Sequence, residues 1–258
     1  MLQPRDASSQ SAATARVELP ARSYRIDPRK ALFASALCWA GFAAMVVAVE
    51  TGNTAGFDSW GLQFWRAGPD LRPAGPGWLL EGVRDFTALG GVLLRHLIAI
   101  FALVALLFLR LRREALVLLG TIAGGWMVNS AVKALVGRPR PTIVPHLTEA
   151  GGASFPSGHS FNSAVVFLAI ALAFAAMSPR LAVRLTIVTS AVVISVLVAA
   201  SRVWLGVHFP SDVTAGWLGG AGWALLAAAL LDRPARKAAE QVEDKLETLT
   251  PGEVETRR

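Results

Sequence analysis

The sequence is poor in cysteine and in charged residues, and each shortage excludes a class of protein. Its 258 residues include one cysteine, Cys38, which excludes an internal disulfide and a cysteine-based metal site. Only 17% of the residues are charged, whereas 53% are hydrophobic, and the mean hydropathy is +0.48. Because this composition is too apolar for an ordinary soluble domain, it indicates a polytopic membrane protein.

Basic residues outnumber acidic ones, and the formal net charge is +7. In a soluble protein this excess would suggest binding to nucleic acid. Most of the Lys and Arg residues here flank hydrophobic runs instead, where they set the orientation of a membrane protein. We therefore expect the chain to contact the bilayer and no nucleic acid.

Six hydrophobic segments each have a length close to the ~20 residues that a helix needs to cross a bilayer. They cover about 31–50, 91–109, 115–136, 160–177, 181–200 and 213–231. We therefore predict an all-α fold, a bundle of six transmembrane helices over residues 31–231. A polar arm (1–30) precedes this bundle and a charged tail (232–258) follows it.

The positions of the basic residues predict the orientation of the bundle. Lys and Arg are concentrated in the arm, in the tail and in the loops between spans two and three and spans four and five, which places these regions in the cytoplasm. The arm lacks the cleavage pattern of a signal peptide. An even number of spans puts the other three loops outside. The Ala-, Arg- and Gly-rich composition suggests a bacterium, so we expect the inner (plasma) membrane, with these loops facing the periplasm or exterior.

Three polar strings lie at the predicted outer ends of the spans. They are Lys133 followed by Arg140-Pro141, then Pro156-Ser157-Gly158-His159, then Ser201-Arg202 with His208 and Asp212. Ionisable residues at a membrane boundary are costly and tend to be functional when they converge. Charge bias and string placement therefore agree on one site at the extracytoplasmic end of the bundle.

The basic residues of the strings are suited to binding phosphate. Arg140 and Arg202 offer planar forks that match phosphate oxygens, and Lys133 adds a point charge. Ser157 and Gly158 precede span four, where backbone N–H groups and the helix dipole favour an anion. We predict that these five residues bind phosphate.

The remaining polar residues are suited to phosphoryl transfer. His208 and Asp212 are four residues apart, about one helical turn, so Asp212 can hold one ring nitrogen while the other attacks phosphorus. His159 can protonate the leaving oxygen and later activate water. Because the sequence offers no set of carboxylates for a metal pair, we expect no metal ion and no cofactor.

Simpler explanations apply to several neighbouring residues. A basic residue at a membrane boundary more often snorkels or fixes topology, and we interpret Arg95 in this way. Arg138 lies only five residues after Lys133, so we place it outside the site. Gly216 and Gly220 predict close packing between spans, either within one subunit or across a homo-oligomer.

The three strings resemble the three-part signature of the type-two phosphatidic acid phosphatase superfamily, which also includes vanadium haloperoxidases. The resemblance covers about residues 133–212, and the six-span layout extends it over most of the chain. It implies a helical bundle with a metal-free catalytic pocket at the outer leaflet. It also implies that His208 is the nucleophile, Asp212 its orienting partner and His159 the general acid. Because the haloperoxidases are soluble, the six spans disfavour that branch.

We expect an integral-membrane phosphatase that removes the terminal phosphate of a lipid phosphate or diphosphate through a phosphohistidine. Possible substrates include phosphatidate, phosphatidylglycerol phosphate, undecaprenyl diphosphate and lipid A phosphates. One alternative is a lipid phosphotransferase that uses the same phosphohistidine. Another is a membrane protein that binds headgroups without catalysis, although binding alone does not require a nucleophile and an acid.

The loop between spans one and two is long and rich in aromatic residues, including Trp60, Trp65 and Trp78. Such residues favour the bilayer interface. We hypothesise that this loop forms one or two interfacial helices that flank a lateral entrance for a lipid headgroup. The alternative is a membrane-anchoring cap that does not contact the substrate.

Overall fold

The computed structural model describes residues 26–249, with side chains through residue 230. In this part of the chain the helices are α1 (Pro28–Glu50), α2 (Ala55–Gln63), α3 (Gly77–Leu89), α4 (Val92–Phe108), α5 (Arg112–Val136), α6 (Gly158–Ala175), α7 (Leu181–Trp204) and α8 (Pro210–Leu249). Two short antiparallel strands, β1 (Arg66–Ala67) and β2 (Arg72–Pro73), form a hairpin between α2 and α3. Most of the predicted arm (1–25) and the end of the predicted tail (250–258) lie outside the described residues.

The predicted six-span helical bundle is confirmed. Within the described residues, five helices are long and apolar enough to cross a membrane, and there are six spans when α3 and α4 are counted together as one. These two helices are bent by 48° at Gly90 and Gly91. The second span was predicted as residues 91–109, and α4 occupies this range with 17 residues.

Helices α6 and α8 form the centre of the bundle. Helix α8 packs against α1 and α6, and α6 also packs against α5 and α7. Most of the apolar length of α6 is buried, whereas only a small part of α1 is buried. Large apolar side chains such as Phe101, Phe108 and Leu135 also face outward. An apolar exterior of this kind suits contact with lipid.

Small residues allow α8 to approach α6 closely. A Cβ atom on Gly220 would lie 2.2 Å from the carbonyl oxygen of Phe161, and one on Gly216 would lie 2.8 Å from that of Ser157. Both glycines therefore mediate packing between spans of one chain, which was one of the two interpretations of their spacing. This contact also fixes the start of α6 beside the start of α8.

The segment between α1 and α4 covers one end of the bundle. Helix α2 packs against α8, and α3 packs against α7. The Arg66 guanidinium donates to the carbonyl oxygen of Trp204 at 2.9 Å, and Arg84 donates to that of Leu147 at 2.8 Å. The helices predicted in this loop are present, whereas the hairpin between them was not predicted. The segment is thus attached to the loops that carry the polar strings.

Candidate active site

The three polar strings converge at one end of the bundle because the loops that carry them are bonded together. The Ser157 N–H donates to the carbonyl oxygen of Asp212 at 3.1 Å, which joins the starts of α6 and α8. The Leu147 N–H donates to the carbonyl oxygen of Leu205 at 3.0 Å, which joins the α5–α6 and α7–α8 loops. The predicted single site therefore has a common backbone framework.

His208 and Asp212 form the most enclosed part of the site. Their side chains are 2% and 0% exposed, and His208 Nδ1 lies 3.5 Å from Asp212 Oδ2. The Phe209 N–H donates to the same carboxylate oxygen at 2.9 Å. Asp212 lies in the first turn of α8, where the helix dipole stabilises a negative charge. The i, i+4 spacing thus brings the ring and the carboxylate together as predicted.

Ser154 is a member of the site that sequence reasoning missed. Its hydroxyl donates a hydrogen bond to Asp212 Oδ2 and lies 3.3 Å from His208 Nδ1. Its backbone N–H donates to the carbonyl oxygen of Arg138 at 2.7 Å, which holds it in place. A serine in an irregular loop carries no signal of this role in the sequence.

The other ring nitrogen of His208 faces Arg140. Arg140 Nη1 lies 3.2 Å from His208 Nε2 and donates to the carbonyl oxygen of Val207 at 2.7 Å. The same guanidinium donates to the carbonyl oxygens of Gly151 and Gly152. Three contacts with carbonyl oxygens therefore fix the Arg140 guanidinium directly beside Nε2. A cation in this position would stabilise an anion bonded to Nε2.

Burial controls the charge of His208. Loss of solvent lowers the pKa of its imidazole to about 4, and this outweighs the nearby Asp212 carboxylate, which raises it. The positive charges of Arg140 and Arg202 also lower this pKa. The ring is consequently neutral at pH 7, as a nitrogen nucleophile must be.

The other two predicted cations also lie at this end of the bundle. Lys133, in the last turn of α5, donates to the carbonyl oxygen of Ala153 at 2.7 Å. Arg202, near the end of α7, is 4% exposed and donates from Nη1 to Thr87 Oγ1 at 2.9 Å. The positive charges of Arg202 and Arg140 are close enough to repel each other. Thr87 is therefore a second positioning contact that the sequence did not indicate.

The start of α6 places His159 among the cations. Ser157 is the N-cap residue, and its hydroxyl accepts from the Ser160 N–H at 3.4 Å. Gly158 and His159 follow as the first residues of the helix. His159 lies within electrostatic range of Arg140, Arg202, His208 and Arg95. All eight residues predicted for the site therefore lie in this region.

The bend between α3 and α4 lies against His159. A Cβ atom on Gly90 would be 3.3 Å from His159 Cδ2 and 2.8 Å from Ser163 Oγ. Arg95, one turn into α4, is 6% exposed and donates to the Gly90 carbonyl oxygen at 2.7 Å. Topology alone was the expected explanation for Arg95, yet its guanidinium is buried next to the site.

The placement of Arg138 outside the site was wrong. Arg138 Nη1 donates to Asp212 Oδ1 at 2.7 Å, and Nη2 donates to Asp58 Oδ2 at 2.8 Å. The prediction rested on the number of residues between Lys133 and Arg138. That number does not determine where the side chain of a loop residue points. Asp58, in α2, was also not predicted.

Carboxylates in the described residues are dispersed among cations and do not form a metal site. No group of three or more His, Cys, Asp or Glu side chains there has an arrangement that could hold a metal ion. The site offers instead guanidinium and ammonium groups around two imidazoles. These groups have the chemistry to bind a phosphate dianion and transfer its phosphoryl group.

Comparison with known proteins gives matches over the same region. The PAP2 superfamily profile matches residues 114–236. Phosphatidylglycerophosphatase B of Bacillus subtilis is 37% identical over 143 residues, which cover 54% of this chain and 69% of that protein. Lipid A 1-phosphatase of Rhizobium johnstonii is 31% identical over 122 residues, which cover 44% of this chain and 46% of that protein.

A solved structure extends the similarity to most of the fold. It is the crystal structure of a transmembrane PAP2-type phosphatidylglycerolphosphate phosphatase from Bacillus subtilis, with a TM-score of 0.67 and 29% sequence identity. The match covers 80% of this chain and 97% of that chain. The predicted family and the predicted enzyme class, a phosphatase in the membrane, are confirmed. The chain belongs to the PAP2 superfamily and is an integral membrane protein.

Proposed function

We propose that this protein hydrolyses the terminal phosphate of a lipid phosphate or diphosphate through a phosphohistidine on His208, without a metal ion. The observation that supports this proposal is the environment of the His208 ring. Nδ1 faces the Asp212 carboxylate, while Nε2 faces the Arg140 guanidinium. A neutral ring with its proton on Nδ1 presents a lone pair on Nε2, beside the cation that would bind the phosphate.

The first step is transfer of the phosphoryl group to the enzyme. His208 Nε2 attacks phosphorus, and the bond between phosphorus and the leaving oxygen breaks. His159 donates a proton to that oxygen, which departs as an alcohol or as a phosphorylated lipid. Asp212 stabilises the positive charge that develops on the ring, while Lys133, Arg140 and Arg202 stabilise the negative oxygens in the transition state.

The second step releases inorganic phosphate. His159, now neutral, accepts a proton from water as the water oxygen attacks phosphorus. The bond between phosphorus and Nε2 breaks, and the electron pair returns to the His208 ring. The start of α6, with the N–H group of Gly158, provides a partial positive charge for the phosphate in both steps.

An apolar groove beside the site supports a lipid substrate. The groove has a volume of about 450 Å³ and is lined by α2, α3 and α7, with Trp60, Trp65, Val83 and Trp204 among its residues. Ser201 and Pro210 also line it, and these are immediate neighbours of the phosphate-binding and nucleophilic segments. We propose that the groove receives the hydrocarbon chain of the lipid whose phosphate binds at Arg140 and Arg202.

Removal of the groove aromatics should affect long-chain substrates selectively. We expect Trp60→Ala with Trp65→Ala to raise KM for a long-chain lipid phosphate by ~10-fold or more, because each aromatic side chain that the bound hydrocarbon covers contributes on the order of 1–3 kcal/mol. KM for a short-chain, water-soluble analogue should remain unchanged. Trp78→Ala is the matched control because Trp78 is exposed and does not line the groove. Equal KM values for the long-chain substrate in the wild type and the double variant would contradict this role.

We propose that both termini are cytoplasmic and that the site faces the periplasm or exterior of a bacterial inner membrane. The concentration of basic residues in alternate loops supports this orientation. In a Cys38→Ser background, a membrane-impermeant thiol reagent should label Trp78→Cys in intact spheroplasts and should not label Arg110→Cys. The reverse pattern would contradict the orientation.

The proposed activity is tested by measuring phosphate release from purified protein in detergent with EDTA present. A panel of lipid phosphates and diphosphates serves as substrates. We expect release without an added acceptor, with rates that rank the panel. Release only when an acceptor alcohol is supplied would favour a phosphotransferase. Tight binding of lipid phosphates without turnover would favour a protein that only binds headgroups.

A further inference from the structure

A chain of three charged groups, two buried and one partly buried, connects α2 to the His208–Asp212 pair. Arg138 lies between two carboxylates, with Nη1 2.7 Å from Asp212 Oδ1 and Nη2 2.8 Å from Asp58 Oδ2. The Asp58 and Asp212 side chains are 2% and 0% exposed, and that of Arg138 is 16% exposed. The mechanism above gives no role to Asp58 or Arg138, although both are directly or indirectly bonded to the Asp212 carboxylate.

Each member of this chain is held from more than one side. The Asp58 carboxylate accepts from the backbone N–H of Ser211 at 2.9 Å and from its hydroxyl at 2.8 Å. Arg138 Nη1 also donates to Ser211 Oγ at 2.8 Å, and its Cζ lies 4.1 Å from the centroid of the Phe209 ring. Because Phe209 and Ser211 lie on either side of Pro210, these contacts fix the turn that leads into α8.

The two oxygens of Asp212 have different partners. Oδ2 accepts from Ser154 and from the Phe209 N–H and faces His208 Nδ1, while Oδ1 accepts from Arg138. Without Arg138, Oδ1 would lose its ion pair with the guanidinium. The carboxylate could then rotate away from the plane in which Oδ2 meets the imidazole.

We infer that Arg138, held in place by Asp58, is a positioning residue that fixes the Asp212 carboxylate against His208. Helix α2 thereby sets the orientation of the nucleophile through the two ion pairs of Arg138. This inference rests on the proposed function, because it assigns the pair a consequence for phosphoryl transfer.

A purely structural ion pair would also be lost on substitution, so the experiment must separate stability from positioning. Arg138→Gln leaves two buried carboxylates without their shared cation, which is destabilising. The double variant Asp58→Asn with Arg138→Gln restores the buried net charge of the wild type, because one carboxylate and one guanidinium are removed together. It does not restore a charged partner for Asp212 Oδ1.

The inference predicts that stability and turnover respond differently. Relative to the wild type, Arg138→Gln should lower kcat for phosphate release by ~10- to 100-fold, the range for residues that orient a reactive group, with little change in KM. Its unfolding temperature in detergent should also fall. In the double variant the unfolding temperature should return towards the wild-type value, while kcat stays as low as in Arg138→Gln.

Recovery of kcat together with stability in the double variant would overturn the inference, as would an unchanged kcat in well-folded Arg138→Gln. Arg84→Gln is the control, since Arg84 attaches α3 to Leu147 without contacting Asp212.

The affinity for vanadate provides a second measurement, because vanadate mimics phosphate and bonds to a histidine nitrogen. If the wild type binds vanadate but releases no phosphate, the proposed function fails. The inference is still supported in that case if Arg138→Gln and the double variant both bind vanadate more weakly than the wild type. A wild type that neither hydrolyses nor binds vanadate would overturn both.

Discussion

Replacement of His208 by alanine will abolish detectable turnover, with kcat for phosphate release reduced by ~10⁴-fold or more. The size of the effect follows from the proposed mechanism, because alanine removes the atom that forms the bond to phosphorus. The cations that bind phosphate remain, so KM should change much less than kcat. Initial rates of phosphate release from a lipid phosphate in detergent, with EDTA present, measure both parameters.

His146→Ala is the matched control for this experiment. His146 lies in the α5–α6 loop, where its Nε2 contacts the carbonyl oxygen of Pro141 at 2.7 Å, and it has no place in the proposed mechanism. It should retain most of the wild-type kcat. Substantial phosphate release by well-folded His208→Ala would exclude His208 as the nucleophile.

Asp212→Asn will produce the second large loss, with kcat reduced by ~10³- to 10⁴-fold, as when the orienting aspartate of a catalytic histidine is amidated. The wild-type carboxylate accepts from Arg138, Ser154 and the Phe209 N–H. An amide in its place brings an NH₂ group against one of these donors. Asparagine also removes the charge that stabilises the His208 ring while it carries the phosphoryl group.

Kinetics of enzyme phosphorylation provide the measurement for Asp212→Asn. The rate of the first turnover should fall with kcat, because the nucleophile itself is impaired. Asp70→Asn is the control, since Asp70 is exposed and its ion pair with Arg72 is 3.8 Å long. An Asp212→Asn protein that phosphorylates His208 at the wild-type rate would show that the carboxylate does not act on the first step.

The sequence was sufficient to predict the spans and the polar strings because both are local signals. Hydropathy identifies a span from consecutive residues. The His208–Asp212 contact follows from i, i+4 spacing at a helix start. The close approach of α8 to α6 at Gly220 follows from the absence of a side chain, although only the structure shows that the partner is in the same chain.

The parts that could not be predicted depend on contacts between distant segments. Arg138 meets Asp58 across 80 positions of the sequence, and a single sequence contains no signal that pairs them. Thr87 meets Arg202 across 115 positions for the same reason. The 48° bend between α3 and α4 was also not predicted, because hydropathy does not report the direction of a helix.

The most direct test of the phosphohistidine mechanism uses His159→Ala and a substrate with a good leaving group, such as 4-nitrophenyl phosphate. Such a substrate does not need a general acid to phosphorylate the enzyme, whereas the second step still needs His159 to activate water. With EDTA present, quenching in alkali and mass spectrometry of the peptides should find the phosphoryl group on His208, at higher occupancy in His159→Ala than in the wild type. Release of phosphate with the phosphoryl group on another residue, or on none in either protein, would contradict the mechanism.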